Sequence, residues 1–511
     1  MPERYFGENG SMKQQAEGNL ELEVTNFGPI IKAKIDLRPL TVFIGPSNTG
    51  KSYLAILVYA LHKVFGNNLR SGEWRFMIGR RFSKRHHLVR MSQSERKTLR
   101  EVADSIMSDF ETDNHRKLDL SPQSASIFCT ELGRLKGILS GEIARCFGVG
   151  AADELTRKGQ NEAPCIVMRQ PGFNHGDLAQ HTLSLKKTPE FEPTVPQQVQ
   201  LPEDFRAYHN LRHWQLRYDE GAASKNFVFS GLKSAINEML VPGLFKPLHV
   251  PAYYLPADRT GVMHAHNVVV SALIANAPNA GLRPSVQTPM LSGVLADFLE
   301  QLIDMSRAAA FKDRRHPNIK KVSKLIEDLV LEGRVQIDQE TDLNYPHFSY
   351  RPKGWKRNLA LANASSMVSE LAPVVMYLQY MIETGNLLIV EEPESHLHPE
   401  MQVKFMRQIA RLVSEGVRVV ITTHSEWLLE ELANIVRRSE MPAAKRKKDE
   451  IALGPDQVGA WLFKKKQRPK GSVINEIPLD ESGLYPSGYG EVARELHNDW
   501  ANISNEIENG S

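Results

Sequence analysis

The stretch Leu40-Thr-Val-Phe-Ile-Gly-Pro-Ser-Asn-Thr-Gly-Lys-Ser52 decides the fold of this chain. Residues 40–44 are apolar, β-branched or aromatic, which predicts a buried strand, and the apolar stretch from Ser52 to Phe65 predicts a helix. Between them lies a Gly-x4-Gly-Lys-Ser loop, in the strand–loop–helix setting that a phosphate-binding P-loop requires. We therefore expect nucleotide phosphates to contact the loop residues Gly45, Pro46, Ser47, Asn48, Thr49, Gly50, Lys51 and Ser52.

Each residue type in this loop has a chemical role. Glycine lets the backbone approach a phosphate closely, and successive N–H groups and the helix N-terminus face the anion. Lys51 would reach the β- and γ-phosphates of ATP, and the hydroxyl of Ser52 would hold Mg²⁺. The alternative is a glycine turn that binds nothing, and both flanks of the loop disfavour it.

Two later strand ends carry the remaining candidate residues. Apolar residues 387–390 predict a strand that ends in Glu391 and Glu392, and residues 417–422 predict another that leads to His424. Ligands of open α/β sheets bind at the carboxyl ends of the strands. We expect Glu391 to hold Mg²⁺, Glu392 to orient or deprotonate an attacking water, and His424 to sense the γ-phosphate.

Composition and charge narrow the class of protein. The chain has 511 residues, of which 41% are hydrophobic, and 63 basic against 60 acidic residues give a net charge of +3. This length predicts about two to four domains, and the balanced charge does not by itself indicate a nucleic-acid-binding protein. Short apolar runs, a polar N-terminus and three cysteines without metal spacing predict a cytoplasmic protein with neither a membrane span nor a disulfide scaffold.

The order of these motifs resembles the ABC-type ATPase heads of the RecF/SMC/OLD group. Two patterns carry the resemblance: Leu22-x-Val-x-Asn-Phe-Gly-Pro-Ile30 before the P-loop, and Glu391-Glu-Pro-Glu-Ser-His-Leu-His-Pro399. The likeness covers about residues 20–65 and 250–440, with a C-terminal strand region. It implies an α/β fold: an ABC-type P-loop ATPase head with a mostly parallel sheet, N-terminal antiparallel strands and a large, mainly helical insertion.

The resemblance also implies a composite active site in which two heads enclose ATP and Mg²⁺, so that the chain would form a homodimer or a higher homo-oligomer. By position, Ser365 and Ser366 begin the signature element that would face the partner's ATP. Met367 and Val368 stand where such signatures have glycine.

Three further positions follow from the resemblance. Residues 394–399 would form a D-loop across the dimer, and Glu391 replaces the aspartate that is usual in a Walker B strand. Arg259, with Asp258, lies where a Q-loop would contact the nucleotide, although no glutamine marks it.

The organisation of the chain follows from these motifs. Residues 160–202 carry many Pro, Gln and Thr residues and predict a loop or irregular insertion, and sustained heptads that would form a coiled-coil arm are not found. The predicted units are a polar N-terminal tail at 1–19, the first core part at 20–66, a mainly helical insertion at 67–247, a core strand and Q-loop-like segment at 248–262, a helical lobe at 263–350, the second core part at 351–440, and a basic linker with a C-terminal strand and helix at 441–511.

The function that the resemblance implies is an ATP-driven dimeric switch or sensor, similar to the OLD-like ATPases of prokaryotic antiviral defence or to ATPases of DNA metabolism. The last residues lack the acidic clusters of a fused TOPRIM nuclease, so an effector, a nuclease or toxin, would act in trans. The alternative is a nucleotide-gated scaffold with little turnover that holds a partner protein or DNA. Basic residues between 70 and 100 would offer a nucleic-acid contact, or else form the polar face of helices or a docking surface for an acidic partner.

Other tempting motifs favour structural interpretations. His209 and His213 have zincin spacing but lack the required glutamate, and His396 and His398 fall in the expected D-loop, where an interface role is favoured over metal binding. The run Lys445-Arg-Lys-Lys448 is typical of a solvated loop.

Overall fold

The computed structural model describes residues 19–67, 93–111, 117–171, 178–201, 205–219, 225–264, 291–310, 317–338, 347–447, 450–478, 495 and 497–501. The predicted tail to residue 18 and residues 70–92 of the basic segment lie outside the described residues, as does Lys448 of the 445–448 run.

The predicted strands of the core form with bounds close to those expected. The strands are β1 Leu20–Phe27, β2 Ile30–Leu37, β3 Leu40–Ile44, β4 Lys117–Asp119, β5 Cys165–Pro171, β6 Leu178–Ser184, β7 Glu190–Glu192, β8 Gln198–Gln200, β9 Ala252–Leu255, β10 Gly333–Asp338, β11 His347–Pro352, β12 Leu359–Ala360, β13 Leu387–Glu391, β14 Arg418–Thr423, β15 Val458–Lys466 and β16 Gly471–Glu476.

Eleven of these strands form one sheet in the order β7-β6-β5-β1-β2-β16-β15-β3-β14-β13-β9. From β9 to β15 every neighbouring pair is parallel. From β7 to β2 every pair is antiparallel, and β16 joins the two parts by pairing antiparallel with β15 and parallel with β2. The predicted α/β class, with its parallel core and N-terminal antiparallel strands, is confirmed.

Helices cover the sheet and carry the connections between parallel strands. The helices are α1 Lys51–His62, α2 Gln93–Glu111, α3 Pro122–Leu132, α4 Lys136–Phe147, α5 Phe205–Asp219, α6 Lys225–Leu244, α7 Gly293–Ala310, α8 Pro317–Ile326, α9 Ser366–Tyr380, α10 Pro399–Ser414 and α11 Glu426–Ser439. None of the helices in the described part of the chain is long and apolar enough to cross a membrane.

Two apolar clusters lie on opposite faces of the parallel half. Strand β3 supplies both, since Phe43 belongs to the cluster that holds α1, whereas Val42 and Ile44 belong to the cluster that holds α9, α10 and α11. All five residues of β3 are buried, as are all five of β13. Strands buried on both faces read as continuous apolar runs, which is why the sequence predicts them so clearly.

The prediction of a loop or irregular insertion for residues 160–202 is wrong in part. Strands β5 and β6 pair along seven registered positions, and β5 also pairs with β1, so this segment widens the antiparallel half of the sheet. Ile166 and Met168 alternate inward in β5, but the polar residues around them hide this period-2 pattern. The range 67–247 therefore contains sheet strands in addition to the helices α2–α6.

Helix α9 ends earlier than predicted. The sequence favours Gly385 as its cap, but the helix ends at Tyr380, and the amides of Met381 and Ile382 donate to the carbonyl of Tyr377. Gly385, with φ 86°, instead lies in the turn that leads into β13. The turn brings Leu387 to its position beside β9, which the helix could not do if it continued.

Candidate functional site

The carboxyl ends of three adjacent strands bring the predicted residues together. Strand β14 lies between β3 and β13, with Ile44 opposite Thr423 and Glu391 opposite Thr422. The P-loop follows β3, the two glutamates end β13, and His424 follows β14. More than three hundred positions of sequence therefore separate side chains that meet at one edge of the sheet.

The P-loop requires glycine at positions 45 and 50. Gly45 has φ 144° and Gly50 has φ 97°, and side chains rarely adopt either conformation. A Cβ at Gly45 would lie 2.4 Å from the carbonyl oxygen of Phe463, and one at Gly50 would lie 2.9 Å from Pro29 and Ile30. Glycine thus lets β15 and the β1–β2 turn pack against the loop, and Gly50 directly precedes the N-terminus of α1.

The ammonium group of Lys51 lies inside this loop. Its Nζ donates to the carbonyls of Gly45 at 2.9 Å and Pro46 at 3.1 Å, and it lies 2.9 Å from Nε2 of His424. Burial lowers the pKa of Lys51, against the opposing charges of Glu392 and the neighbouring glutamates. The structure therefore brings a P-loop lysine and a strand-end histidine into contact.

Glu392 lies beside this pair in a strained conformation. Its Oε1 is 3.5 Å from Nε2 of His424, and its side chain keeps 38% of its exposure. The backbone has φ 41°, in the left-handed region, and its amide donates to the carbonyl of Thr422 at 2.9 Å. The contact with His424 holds the pKa of Glu392 below its ordinary value, against the effect of partial burial. Strain of this kind is concentrated at functional positions.

Glu391 is buried on the other side of the strand end, 6% exposed. Its Oε2 accepts the amide of Ala257 at 3.2 Å, whereas its Oε1 has no hydrogen-bond partner among the described residues. Burial raises the pKa of Glu391, against the lowering effect of the Ser52 hydroxyl. The buried carboxylate of Glu391 and the neighbouring Ser52 hydroxyl are oxygen ligands of the kind that Mg²⁺ prefers.

The resemblance places Arg259 where a Q-loop would contact the nucleotide. In the structure, its side chain is buried and does not face a nucleotide-binding surface. The side chain is 0% exposed, and the guanidinium donates to the carbonyls of Glu370 at 2.9 Å, Pro256 at 2.8 Å and Glu391 at 2.6 Å. It also forms an ion pair with the carboxylate of Glu370. Its donors are used within the protein, so Arg259 ties helix α9 to the end of β13.

Glu394 and Glu370, which the resemblance places in the D-loop and at the end of the signature element, make contacts within the site that the sequence did not predict. Oε1 of Glu394 accepts from the hydroxyl of Thr423 at 2.7 Å and from the amide of His424 at 2.6 Å, so it fixes the loop that carries the histidine. Glu370 is buried, and Thr260 donates to it. The close run of Glu391, Glu392 and Glu394 is a sequence feature that could have indicated the first; nothing local indicates the second.

The predicted residues Ser365 and Ser366 lie at the start of helix α9. Ser365 is the N-cap of α9 and accepts from the amide of Val368 at 3.4 Å, and both it and Ser366 are exposed. Val368 is buried and Met367 packs against the same apolar cluster, which explains apolar residues where signatures have glycine.

The histidines outside the cluster show other roles. His398 caps α10 by accepting from the amide of Glu400 at 3.4 Å, and His209 and His213 are exposed on α5. No group of three or more His, Cys, Asp or Glu side chains that could hold a metal is found in the described ranges.

Comparison with known proteins supports the interpretation of this chain as an ATPase. Residues 273–429 match the family described as AAA ATPase domain, a range that includes Glu391, Glu392 and His424 but not the P-loop. A search of curated proteins finds no relative of this chain.

Several solved structures are similar. They include an SMC head bound to the C-terminal winged-helix domain of ScpA (10% identity, 90% of this chain and 98% of that one, TM-score 0.38), the SMC head domain from Thermotoga maritima (10%, 90% and 99%, 0.33), and a Pyrococcus furiosus SMC head with an extended coiled coil bound to the C-terminal domain of ScpA (9%, 93% and 98%, 0.38).

The P-loop, the two strand ends beside it and the ATPase-domain match define the class of this protein. The chain is an ATP-binding P-loop ATPase, whose motifs lie along the parallel half of the sheet.

Proposed function

We propose that this ATPase is a Mg-ATP-driven dimeric switch in which Lys51, Glu391, Glu392 and His424 act on one triphosphate. The observation that carries the proposal is the contact of Lys51 with His424 at 2.9 Å and of His424 with Glu392 at 3.5 Å. Phosphoryl transfer needs a positioned nucleophile and stabilisation of charge on the γ-phosphate, and this cluster offers both.

Each side chain has a distinct role in this proposal. Lys51 binds the β- and γ-phosphates, His424 contacts the γ-phosphate, and Glu392 orients the attacking water and accepts its proton. The lowered pKa of Glu392 keeps its carboxylate ionised at neutral pH, so that it can accept a hydrogen bond from the water that it orients. Ser52 and Glu391 would hold Mg²⁺, which when bound neutralises charge on the phosphate oxygens. Arg259 acts as a positioning residue, because it binds the backbone of the strand end rather than the nucleotide.

Exposed residues around the cluster support closure of two heads. Ser365 and Ser366 present hydroxyls at the N-terminus of α9, where they could bind an anion on a partner. Trp427, beside His424 on the first turn of α11, is 49% exposed, and His396 of the expected D-loop is exposed with φ 63°. In the switch, ATP would join two copies through these surfaces and hydrolysis would release them.

The biological setting in this proposal comes from the sequence resemblance to the RecF/SMC/OLD group. We assign the switch to prokaryotic antiviral defence or to DNA metabolism, in the cytoplasm and beside a separate nuclease or toxin. Mass spectrometry of proteins that the chain retains with ATP, and without it, tests whether such an effector associates in a nucleotide-dependent manner.

The switch is tested by the variant Glu392→Gln, with Glu430→Gln on the exposed face of α11 as the matched control. We expect Glu392→Gln to bind ATP, to lose hydrolysis by about a hundredfold or more, and to accumulate an ATP-dependent dimer in light scattering. The control should turn over ATP as the wild type does.

The same experiment distinguishes the alternative. A nucleotide-gated scaffold would hydrolyse ATP negligibly in the wild type, and Glu392→Gln would then change neither the turnover nor the association. A wild-type protein that hydrolyses ATP but remains monomeric with every nucleotide, in the variant as well, would contradict the dimeric switch and leave the ATPase intact.

A further inference from the structure

The segment 351–357, called the basic turn here, comprises the end of β11 and the turn that follows it in the small three-stranded sheet β10-β11-β12. It connects β11 to β12, and its cations Arg351, Lys353, Lys356 and Arg357 are all exposed. Residues 347–360 contain no Asp or Glu, and none of the four cations has an ion pair within the described part of the chain. Four cations in seven residues form a compact positive patch.

Trp355 stands among these cations and is 58% exposed. Single exposed apolar residues are common on protein surfaces and alone need no explanation. This indole differs because cations lie on both sides of it in sequence, at Lys353 and Lys356. A large aromatic ring combined with positive charge is a combination that binds stacked bases and their phosphates.

The turn is held in place by its frame. Gly354 has φ 82°, and the amide of Trp355 donates to the carbonyl of Pro352 at 3.1 Å, which closes the turn. On one side the amide of Lys353 donates to the carbonyl of Glu332 at 2.8 Å, and on the other Asn358 donates to Gln336 at 3.0 Å. Hydrogen bonds on both sides therefore hold the backbone that carries the exposed ring. A turn that is already fixed loses less conformational entropy when it binds a ligand.

We propose that the basic turn binds single-stranded nucleic acid, with an unpaired base stacked on Trp355 and the neighbouring phosphates contacted by Lys353, Lys356 and Arg357. An anionic membrane fits less well, because membrane binding scales with the apolar area inserted, and this patch offers one large apolar side chain. A duplex fits less well because its bases are already stacked, whereas every unpaired base presents a free aromatic face.

The position of the turn gives the binding a consequence. Strand β12 runs through the short helical turn Leu361–Asn363 into Ser365, the N-cap of α9. A ligand on the basic turn would thus act on the segment proposed to face a partner's ATP. This link rests on the proposed function, whereas the binding itself does not.

The binding is tested with the full chain, without nucleotide, by fluorescence anisotropy of a labelled oligothymidine of about 20 nucleotides over a range of salt concentrations. We expect Trp355→Ala to weaken binding about tenfold with little change in salt dependence, since stacking is not ionic. The triple variant Lys353→Gln, Lys356→Gln, Arg357→Gln should reduce the slope of log K against log salt by about two, at roughly 0.7 for each phosphate that the protein no longer neutralises.

Matched controls exist on other surfaces. Trp500 is 67% exposed and serves as the control Trp500→Ala, and the exposed lysines Lys187, Lys321 and Lys324, all changed to Gln, remove the same amount of charge. The proposal is overturned if the wild type does not bind the oligonucleotide at low salt, or if controls and variants weaken binding equally. It is also overturned if duplex DNA or phosphatidylserine vesicles bind more tightly than the single strand and lose the same affinity in the variants.

A second readout separates this inference from the proposed function. If the switch and the link both hold, the oligonucleotide should change the ATPase rate of the wild type and not that of Trp355→Ala. Binding that requires Trp355 without any change in ATPase rate would support the site and contradict its link to α9.

Discussion

In the antiparallel half of the main sheet, charged side chains pair with one another across the strands. Arg169 on β5 bridges Glu21 at 2.8 Å and Glu23 at 2.9 Å on β1, and Lys32 and Lys34 on β2 extend the same row. In the parallel half, the charged side chains lie at strand ends and lead inward. Lys51, Glu391 and Arg259 are all buried, and each contacts backbone groups of another element.

The two halves therefore differ in what their charged side chains do. Those of the antiparallel half form ion pairs on a sheet surface, whereas those of the parallel half are buried and hold the candidate site together. Exposed pairs on a sheet surface contribute little, because water screens them and their side chains lose freedom on pairing. Buried charges have a large desolvation cost, which must be offset by several hydrogen bonds in fixed geometry. In the parallel half, hydrogen bonds to backbone groups offset this cost at the carboxyl edge of the sheet, where the P-loop lies.

The largest effect on stability is expected at Arg259. Arg259→Met would leave the carboxylate of Glu370 buried without its ion pair and would remove donors from the carbonyls of Pro256 and Glu391. We expect the free energy of unfolding to fall by about 3–5 kcal/mol, measured by urea denaturation.

The double variant Arg259→Met, Glu370→Met should recover part of this loss, because no unpaired buried charge then remains. If the free energy of unfolding of the single variant falls by less than about 1 kcal/mol, Arg259 contributes no more than a surface ion pair does. That result would contradict the contrast between the two halves of the sheet.

An intermediate, pH-dependent effect is expected at His62, near the end of α1. The side chain is 3% exposed, and burial lowers the pKa of His62 to about 3. The neutral form is favoured in the folded protein, so its stabilisation is complete above the unfolded value near 6.5 and is lost as the pH falls toward 3.

Between pH 7 and pH 4.5 the free energy of unfolding should fall by about 2–3 kcal/mol more in the wild type than in His62→Gln. The exposed His209→Gln is the control. Equal pH dependence in the wild type and His62→Gln would show that this histidine is not held neutral.

The smallest effect is expected at Arg169. Arg169→Ala removes two ion pairs of the surface row, and we expect the free energy of unfolding to fall by about 0.2–1 kcal/mol at low salt and less at high salt. ATP hydrolysis should be unchanged, since this residue lies in the other half of the sheet. A loss comparable to that of Arg259→Met would remove the distinction between the two regions.

The parallel half can be predicted from the sequence and the antiparallel half only in part. Strand β3 is predicted with its observed bounds because it is buried on both faces and is followed by a P-loop. Strand β5 is not predicted because its partner, β1, lies over a hundred positions away in the sequence. The alternation of apolar and polar residues in β5 is also short, and around Arg169 and Gln170 it is too weak to indicate a strand. Pairing with an open sheet edge is a tertiary effect that local propensity does not carry.

The candidate site shows the same limit at the level of single residues. Lys51 and His424, which the sequence motifs single out, lie in contact in the structure. The position of Arg259 in the sequence assigns it to the nucleotide, whereas the structure gives its donors to the protein, because a buried guanidinium must satisfy them internally. The sequence places Glu394 in a loop, and only the folded strand ends reveal that it holds the amide of His424.

Equilibrium binding of ATP to the wild type and to Lys51→Ala tests the central claim most directly. The account predicts that the wild type binds ATP in the presence of Mg²⁺ and that Lys51→Ala, although folded, binds it at least about tenfold more weakly, because the variant cannot form charge-assisted hydrogen bonds to the phosphates. Wild-type protein without affinity for ATP, or a Lys51→Ala variant with unchanged affinity, would contradict it.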